Sequence, residues 1–228
     1  MSADVTSANV VGYHSTALAA DTYYMVAAQF DSVVGGGEGM ALKDLVTGDV
    51  PYGAEMQVLR PDGGYDIYRY IEEAYDGDAD DFVPGWGDGV DNLAVNPVEP
   101  GTAFWLKAPS AATVTIAGAV LGDASKTVEI AAAQYSMIAN PYPVSVNPNA
   151  LTWTGLSYGD ELQVLKADGG YDIYRYIEEA YDGDADDFVP GWGNGVDELV
   201  TTGVIPVGQG AWIKPASQLT LRWGSPLE

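Results

Sequence analysis

Asp62–Gly87 reads DGGYDIYRYIEEAYDGDADDFVPGWG, and Asp168–Gly193 repeats it letter for letter at an offset of 106. A repeat this long marks a duplicated structural unit. The likeness continues outward in weaker form. Glu55–Leu59 (EMQVL) matches Glu161–Leu165 (ELQVL), and Tyr23–Ala27 (YYMVA) matches Tyr135–Ala139 (YSMIA). Trp105-Leu106-Lys107 matches Trp212-Ile213-Lys214. The chain therefore divides into two copies of one unit, residues 1–119 and 120–228. An identical centre between diverged flanks fits a site needed twice. It fits recent copying of the coding DNA equally well.

The repeat also sets the fold class. Asp62-Gly63-Gly64 and Asp168-Gly169-Gly170 each sit between two runs rich in β-branched and aromatic residues, which is a hairpin signal. The same patterning predicts strands near 10–14, 23–30, 55–60, 65–71, 103–107 and 112–117. In the second unit it predicts strands near 127–131, 135–139, 161–166, 171–177, 210–214 and 218–223. One short helix is expected around Met40–Val46, with Pro51 closing off the stretch after it. No long stripe of helical period exists. The expectation is an all-β protein of two tandem, homologous antiparallel sandwich or barrel units related by pseudo-twofold symmetry.

Strand geometry sorts the repeat into two faces. Tyr65, Ile67, Arg69, Ile71, Glu73 and Tyr75 project one way, and Asp66, Tyr68, Tyr70, Glu72 and Ala74 the other. Tyrosines on both faces suit a core with wet rims. They also suit a ligand surface, which makes Tyr68, Tyr70, Tyr174 and Tyr176 candidate ligand contacts.

Asp76, Asp78, Asp80 and Asp81 crowd four carboxylates into six residues, and Asp182, Asp184, Asp186 and Asp187 repeat them. Calcium takes six to eight oxygens, and a turning loop with Asp at alternate positions can wrap one ion. Two Ca2+ sites are expected, with Asp88 or Asn194, and Asp91 or Asp197, available to complete the shells. The spacing resembles the first half of an EF-hand loop. It departs where that loop needs Gly and Glu, since Asp81 and Gly87 stand there. Only the ion carries over; a solvated acidic turn is the plainer alternative.

Phe82-Val83-Pro84-Gly85-Trp86-Gly87 follows directly. A Trp between glycines reads as a loop residue, so Trp86 and Trp192 are candidate sugar-stacking rings at a rim. The alternative is that they plug the end of the core. Trp105 and Trp212 lie in strands and are expected in the core.

Ile138-Ala139-Asn140-Pro141-Tyr142-Pro143 and Gly208-Gln209-Gly210-Ala211-Trp212-Ile213-Lys214 resemble the NPYP and GQGxW signatures of β-repeat modules in bacterial secreted and cell-surface proteins. The first unit keeps only Gly101–Lys107 of the second signature, and Ala27-Ala28-Gln29-Phe30 replaces the first. The resemblance covers about a fifth of the chain. It implies an extracellular, non-catalytic module and names no ligand.

Composition narrows the function classes. The 228 residues carry 33 acidic and 9 basic side chains, a net charge of −24. Nucleic acid is repelled by such a surface, and no apolar run is long enough for membrane insertion as a helix. Cysteine is absent and His14 is the single histidine. Thiolate chemistry, Cys-based zinc and Ser-His-Asp triads drop out accordingly. The adjacent glutamates Glu72-Glu73 and Glu178-Glu179 point to opposite strand faces and cannot flank one glycosidic bond. No phosphate-binding loop or dinucleotide fingerprint is present.

Met1–Asp4 lacks a signal-peptide pattern, and Leu227-Glu228 reads as a vector-derived tail. A secreted or surface location fits best; an acidic cytoplasmic protein of a salt-loving organism has the same composition. The expected function is a non-catalytic tandem β-module that binds calcium and serves adhesion or cell-envelope structure, with polysaccharide or another surface protein as partner. A carbohydrate-binding module is the alternative, and a glycoside hydrolase a third.

Overall fold

Alternating apolar and polar residues make strands the dominant element of the chain. The computed structural model describes residues 10–33 and 39–226. The Met1–Asp4 start and the Leu227-Glu228 tail lie outside them. In chain order the strands are β1 (Val11–Leu18), β2 (Tyr23–Ala27), β3 (Met40–Ala41), β4 (Thr47–Gly48), β5 (Glu55–Leu59) and β6 (Tyr65–Asp76). Then come β7 (Asp81–Gly87), β8 (Pro97–Val98), β9 (Ala103–Lys107), β10 (Ala112–Ala119), β11 (Ser125–Ile130) and β12 (Ser136–Ala139). The last six are β13 (Thr152–Thr154), β14 (Glu161–Leu165), β15 (Tyr171–Asp182), β16 (Asp187–Gly193), β17 (Gly210–Lys214) and β18 (Leu219–Gly224). The expected helix is one turn, α1 (Leu42–Leu45), held by burial of Leu42 and Leu45.

Two five-stranded sheets dominate, in the orders β2-β9-β5-β6-β7 and β12-β17-β14-β15-β16. Two three-stranded sheets, β1-β10-β4 and β11-β18-β13, and the β3-β8 pair complete the set. Among the described residues every strand pair is antiparallel and no sheet closes, so the barrel option is not realised there.

Strand alternation builds the core. In β9, Phe104 and Leu106 turn inward, and in β10 Val114 and Ile116 do the same. With Met56, Tyr68 and Trp86 they form one buried cluster. A second cluster holds Leu162, Trp192, Ile213, Leu221 and Trp223. A third, small one joins Met25, Ala27, Ala103 and Ala139, with Trp105 and Trp212 packed against it. Here the two five-stranded sheets meet. Ala27 N–H donates to Gly208 O at 2.9 Å, and Ala139 N–H donates to Gly101 O at 3.1 Å. Small residues permit this close approach: a Cβ on Gly210 would lie 2.5 Å from that of Ala103.

The repeated hairpins fold alike. Asp62 Oδ1 accepts from Gly64 N–H at 2.9 Å, and Asp168 Oδ1 from Gly170 N–H at 3.0 Å. Gly63 and Gly169 sit at φ +85° and +86°, where a glycine is needed. The register of β6 on β7 shifts between Ile71 and Ala74, and that of β15 on β16 between Ile177 and Ala180. Glu72-Glu73 and Glu178-Glu179 therefore sit on bulges, where the strict alternation expected of them is interrupted.

β7 and β16 fall where the Trp between two glycines reads as loop in the sequence. Both are edge strands, which tolerate proline, and the bulge lies opposite it. The glycines serve packing. A Cβ on Gly85 would meet Leu93 Cδ2 at 2.3 Å, and one on Gly87 would meet Ile71 Cδ1 at 2.8 Å.

Candidate functional site

That packing removes the expected rim rings. Trp86 is 0% exposed and Trp192 is 1% exposed. Trp86 Nε1 donates to Val46 O at 3.0 Å, and the ring meets Tyr70 edge-on at 5.6 Å. Trp192 packs against Tyr176 and Trp153. The expectation of exposure is corrected, since side chains crossing the flanking glycines close over both rings. Tyr68 is buried in the first cluster, and Tyr70, Tyr174 and Tyr176 are half-buried against the same two cores. Trp86, Trp192 and Tyr68 are thus enclosed, while Tyr70, Tyr174 and Tyr176 keep part of their surface exposed.

The acidic segments are hairpin turns. Asp76 and Asp81 are register partners, with four residues between them. Asp76 Oδ1 accepts from Asp78 N–H at 3.1 Å, and Asp81 Oδ1 from Phe82 N–H at 2.8 Å. Asp80, at φ +54°, accepts from the Tyr75 hydroxyl at 2.7 Å. Asp182, Asp186 and Asp187 form the same bonds in the second copy. Asp78 lies 3.7 Å from Lys43 Nζ, and Asp184 contributes its N–H to the matching turn. Asp88 and Asn194 each accept an N–H bond that closes the following turn. Asp91 and Asp197 sit in those same turns at positive φ. Among the described residues no group of three or more acidic or histidine side chains is gathered as metal ligands.

The outer faces of the five-stranded sheets carry a different constellation. Antiparallel register sets the side chains of the first sheet in rows. Tyr23, Lys107, Glu55 and Arg69 share one row, and Met25, Trp105, Gln57 and Ile67 the next. In the second sheet, Lys214, Glu161 and Arg175 share a row that Tyr135, next to β12, flanks. Met137, Trp212, Gln163 and Ile173 follow.

The rings in these rows are partly open. Tyr23 is 41% and Tyr135 44% exposed, and Trp105 and Trp212 are half-buried. Tyr23 meets Trp105 at 6.1 Å, Trp105 meets Trp212 at 6.3 Å, and Trp212 meets Tyr135 at 6.0 Å. A four-ring strip thus crosses the junction between the sheets. Trp105 and Trp212 lie in strands as expected, and they pack half-buried against the small third cluster, not within the two large cores.

Polar groups line the strip on both sides. Glu55 accepts from the Tyr23 hydroxyl at 3.0 Å, from Gln57 and from Arg69 at 3.4 Å. Glu161 accepts from Tyr135 at 3.5 Å, from Gln163 and from Arg175 at 3.2 Å. The amide donors Gln57 and Gln163, helped by the arginines and tyrosines, hold both carboxyls below their usual range. Burial and the neighbouring Glu55 raise Tyr23, so its hydroxyl keeps its proton. Lys107 lies over the Tyr23 ring at 5.4 Å, and Lys214 over Tyr135 at 5.0 Å. A shallow, open groove of about 570 Å3 lies beside the strip, lined by Asp21, Tyr23, Gln57 and Trp105 and by Leu165, Gly169 and Tyr171.

The sequence held a usable signal for this face. Tyr23, Glu55, Gln57, Trp105 and Lys107 all recur in the second unit, although much of the sequence around them has diverged, and Arg69 recurs within the identical block. Comparison with family models, curated proteins and solved structures yields no significant match. Among the described residues no helix is long and apolar enough to cross a membrane.

Proposed function

We propose that this chain is a non-catalytic, extracellular β-module that binds carbohydrate on the outer face of its two large sheets. The four-ring strip Tyr23–Trp105–Trp212–Tyr135 carries the proposal. The apolar C–H faces of a pyranose stack on aromatic rings, and its hydroxyls bond to fixed amides and carboxylates. Gln57, Glu55, Gln163 and Glu161 stand beside the rings for that purpose. A few placed polar groups on an otherwise apolar wall are the usual make-up of a small-ligand site. Glu55 and Glu161 are held ionised, which suits hydrogen-bond acceptance and not proton donation to a leaving group.

The proposal includes the tandem arrangement. Two homologous units, 1–119 and 120–228, pack about a pseudo-twofold axis through the small cluster at the junction. The matching sheet orders and the reciprocal bonds from Ala27 and Ala139 support this.

Electrophoresis through gels containing dissolved polysaccharides tests the function. The chain is expected to be retarded by at least one neutral glucan or glucomannan. The double variant Trp105→Ala, Trp212→Ala should run as in an empty gel, while Phe82→Ala with Phe188→Ala keeps the retardation. Phe82 and Phe188 are 59% and 62% exposed, so they control for general ring exposure. Loss of retardation in the Phe variant alone would move the site to the hairpin tips and refute the assignment.

A further inference from the structure

Resting on the carbohydrate reading, we infer that the two copies build one site and not two: a single neutral, β-linked gluco-configured oligosaccharide lies across the junction and stacks on Trp105 and Trp212 together. Duplication would ordinarily give two equivalent sites. Here the two tryptophan rings stand 6.3 Å apart, within contact of each other, and two separate ligand chains have no room to stack on them independently. The groove beside them is composite. Tyr23, Gln57 and Trp105 come from the first unit, while Leu165, Gly169 and Tyr171 come from the second. Its volume of about 570 Å3 lies within the range of small-ligand sites. The backbone bonds Ala27–Gly208 and Ala139–Gly101 fix the two walls relative to each other.

The chemistry of the rim selects the ligand class. On the rim Asp21, Glu55 and Glu161 pair with Lys107, Arg69 and Arg175, which engages those cations, and the chain as a whole carries −24, which disfavours uronic acids and sulfated sugars. Gluco-configured rings hold every ring C–H axial, which makes both faces apolar. Their equatorial hydroxyls point sideways, toward Gln57 and the Tyr23 hydroxyl on one side and toward Gln163 and Tyr135 on the other. An extended chain presents that pattern to both halves at once.

Isothermal titration calorimetry of the intact chain with the β-1,4 glucose hexamer, its dimer and a galacturonic acid hexamer tests this. The glucose hexamer is expected to bind at one per chain, at least about tenfold tighter than the dimer, with no heat from the galacturonate. Trp105→Ala and Trp212→Ala should each weaken binding roughly tenfold or more without changing the stoichiometry. Two hexamers per chain, falling to one in either single variant, would overturn the composite site and leave the carbohydrate reading standing. Tighter binding of the galacturonate would overturn the ligand class. No heat from any probe, with no retardation in any polysaccharide gel, would bring down the carbohydrate reading and this inference with it. The stoichiometry of the unaltered chain is decisive by itself, whatever the variants do to folding.

Discussion

Six tryptophans divide between two tasks, and the residues beside them decide which. Trp86 is enclosed because Gly85 and Gly87 let Leu93 and Ile71 close over it. Trp105, between two inward-facing residues of β9, is left on the outer face. Truncation should separate the tasks. Trp86→Ala empties a core position and orphans Val46 O, and is expected to cost about 3–5 kcal/mol. Trp105→Ala, at a half-buried position, should cost under about 1.5 kcal/mol, and urea unfolding of both variants checks the contrast. A second residue-scale feature lies just past the repeat. Asp88 bonds to Asn92, while in the second unit Asn194 bonds to Glu198, so acid and amide have exchanged places. Asn194→Asp would set two carboxylates side by side and should lower stability by roughly 0.5–1 kcal/mol. Adding Glu198→Asn should restore it, again read from urea unfolding.

At the scale of elements, strands with regular alternation were legible and those with bulges were not. β9, β10 and β14 show inward and outward residues in plain succession, and their expected positions hold within two residues. β7 and β16 carry Pro and Gly in their interiors, and only their edge position and the facing bulge explain them. The acidic turns between β6 and β7, and between β15 and β16, were read as ion-wrapping loops because four carboxylates repel without a cation. In the structure these carboxylates accept turn N–H groups and a tyrosine hydroxyl, an arrangement open to either reading. This leads to a melting experiment. Calcium and magnesium at equal ionic strength are expected to raise the midpoint alike, through screening of the −24 charge. A rise specific to calcium and lost in Asp78→Ala with Asp184→Ala would instead place a cation in each turn.

For the whole molecule, the duplication was legible in the sequence, but the surface that the two copies form together was not. Trp105 and Trp212 could be aligned with each other from sequence; that their rings touch depends on how the sheets meet at Ala27, Ala103, Ala139 and Gly210. No local pattern encodes that approach. The same face sets a pH dependence. Glu55 and Glu161 titrate lower folded than unfolded, chiefly through the Gln57 and Gln163 amides. Their contribution to stability is therefore complete above the unfolded value, about 4.3, and is lost as pH falls through the lower folded values. Melting curves between pH 6 and pH 3 should show this loss. Glu55→Gln with Glu161→Gln should flatten that part of the profile.

Indole N–H spectra of the chain labelled with 15N-tryptophan address the central assignment most directly. Six signals are expected, one for each of the six tryptophans. On titration with the β-1,4 glucose hexamer, those of Trp105 and Trp212 should move together along one saturation curve. Those of Trp86, Trp192 and Trp223, fully enclosed, should stay in place. Movement of Trp86 or Trp192 while Trp105 and Trp212 remain still would contradict the account.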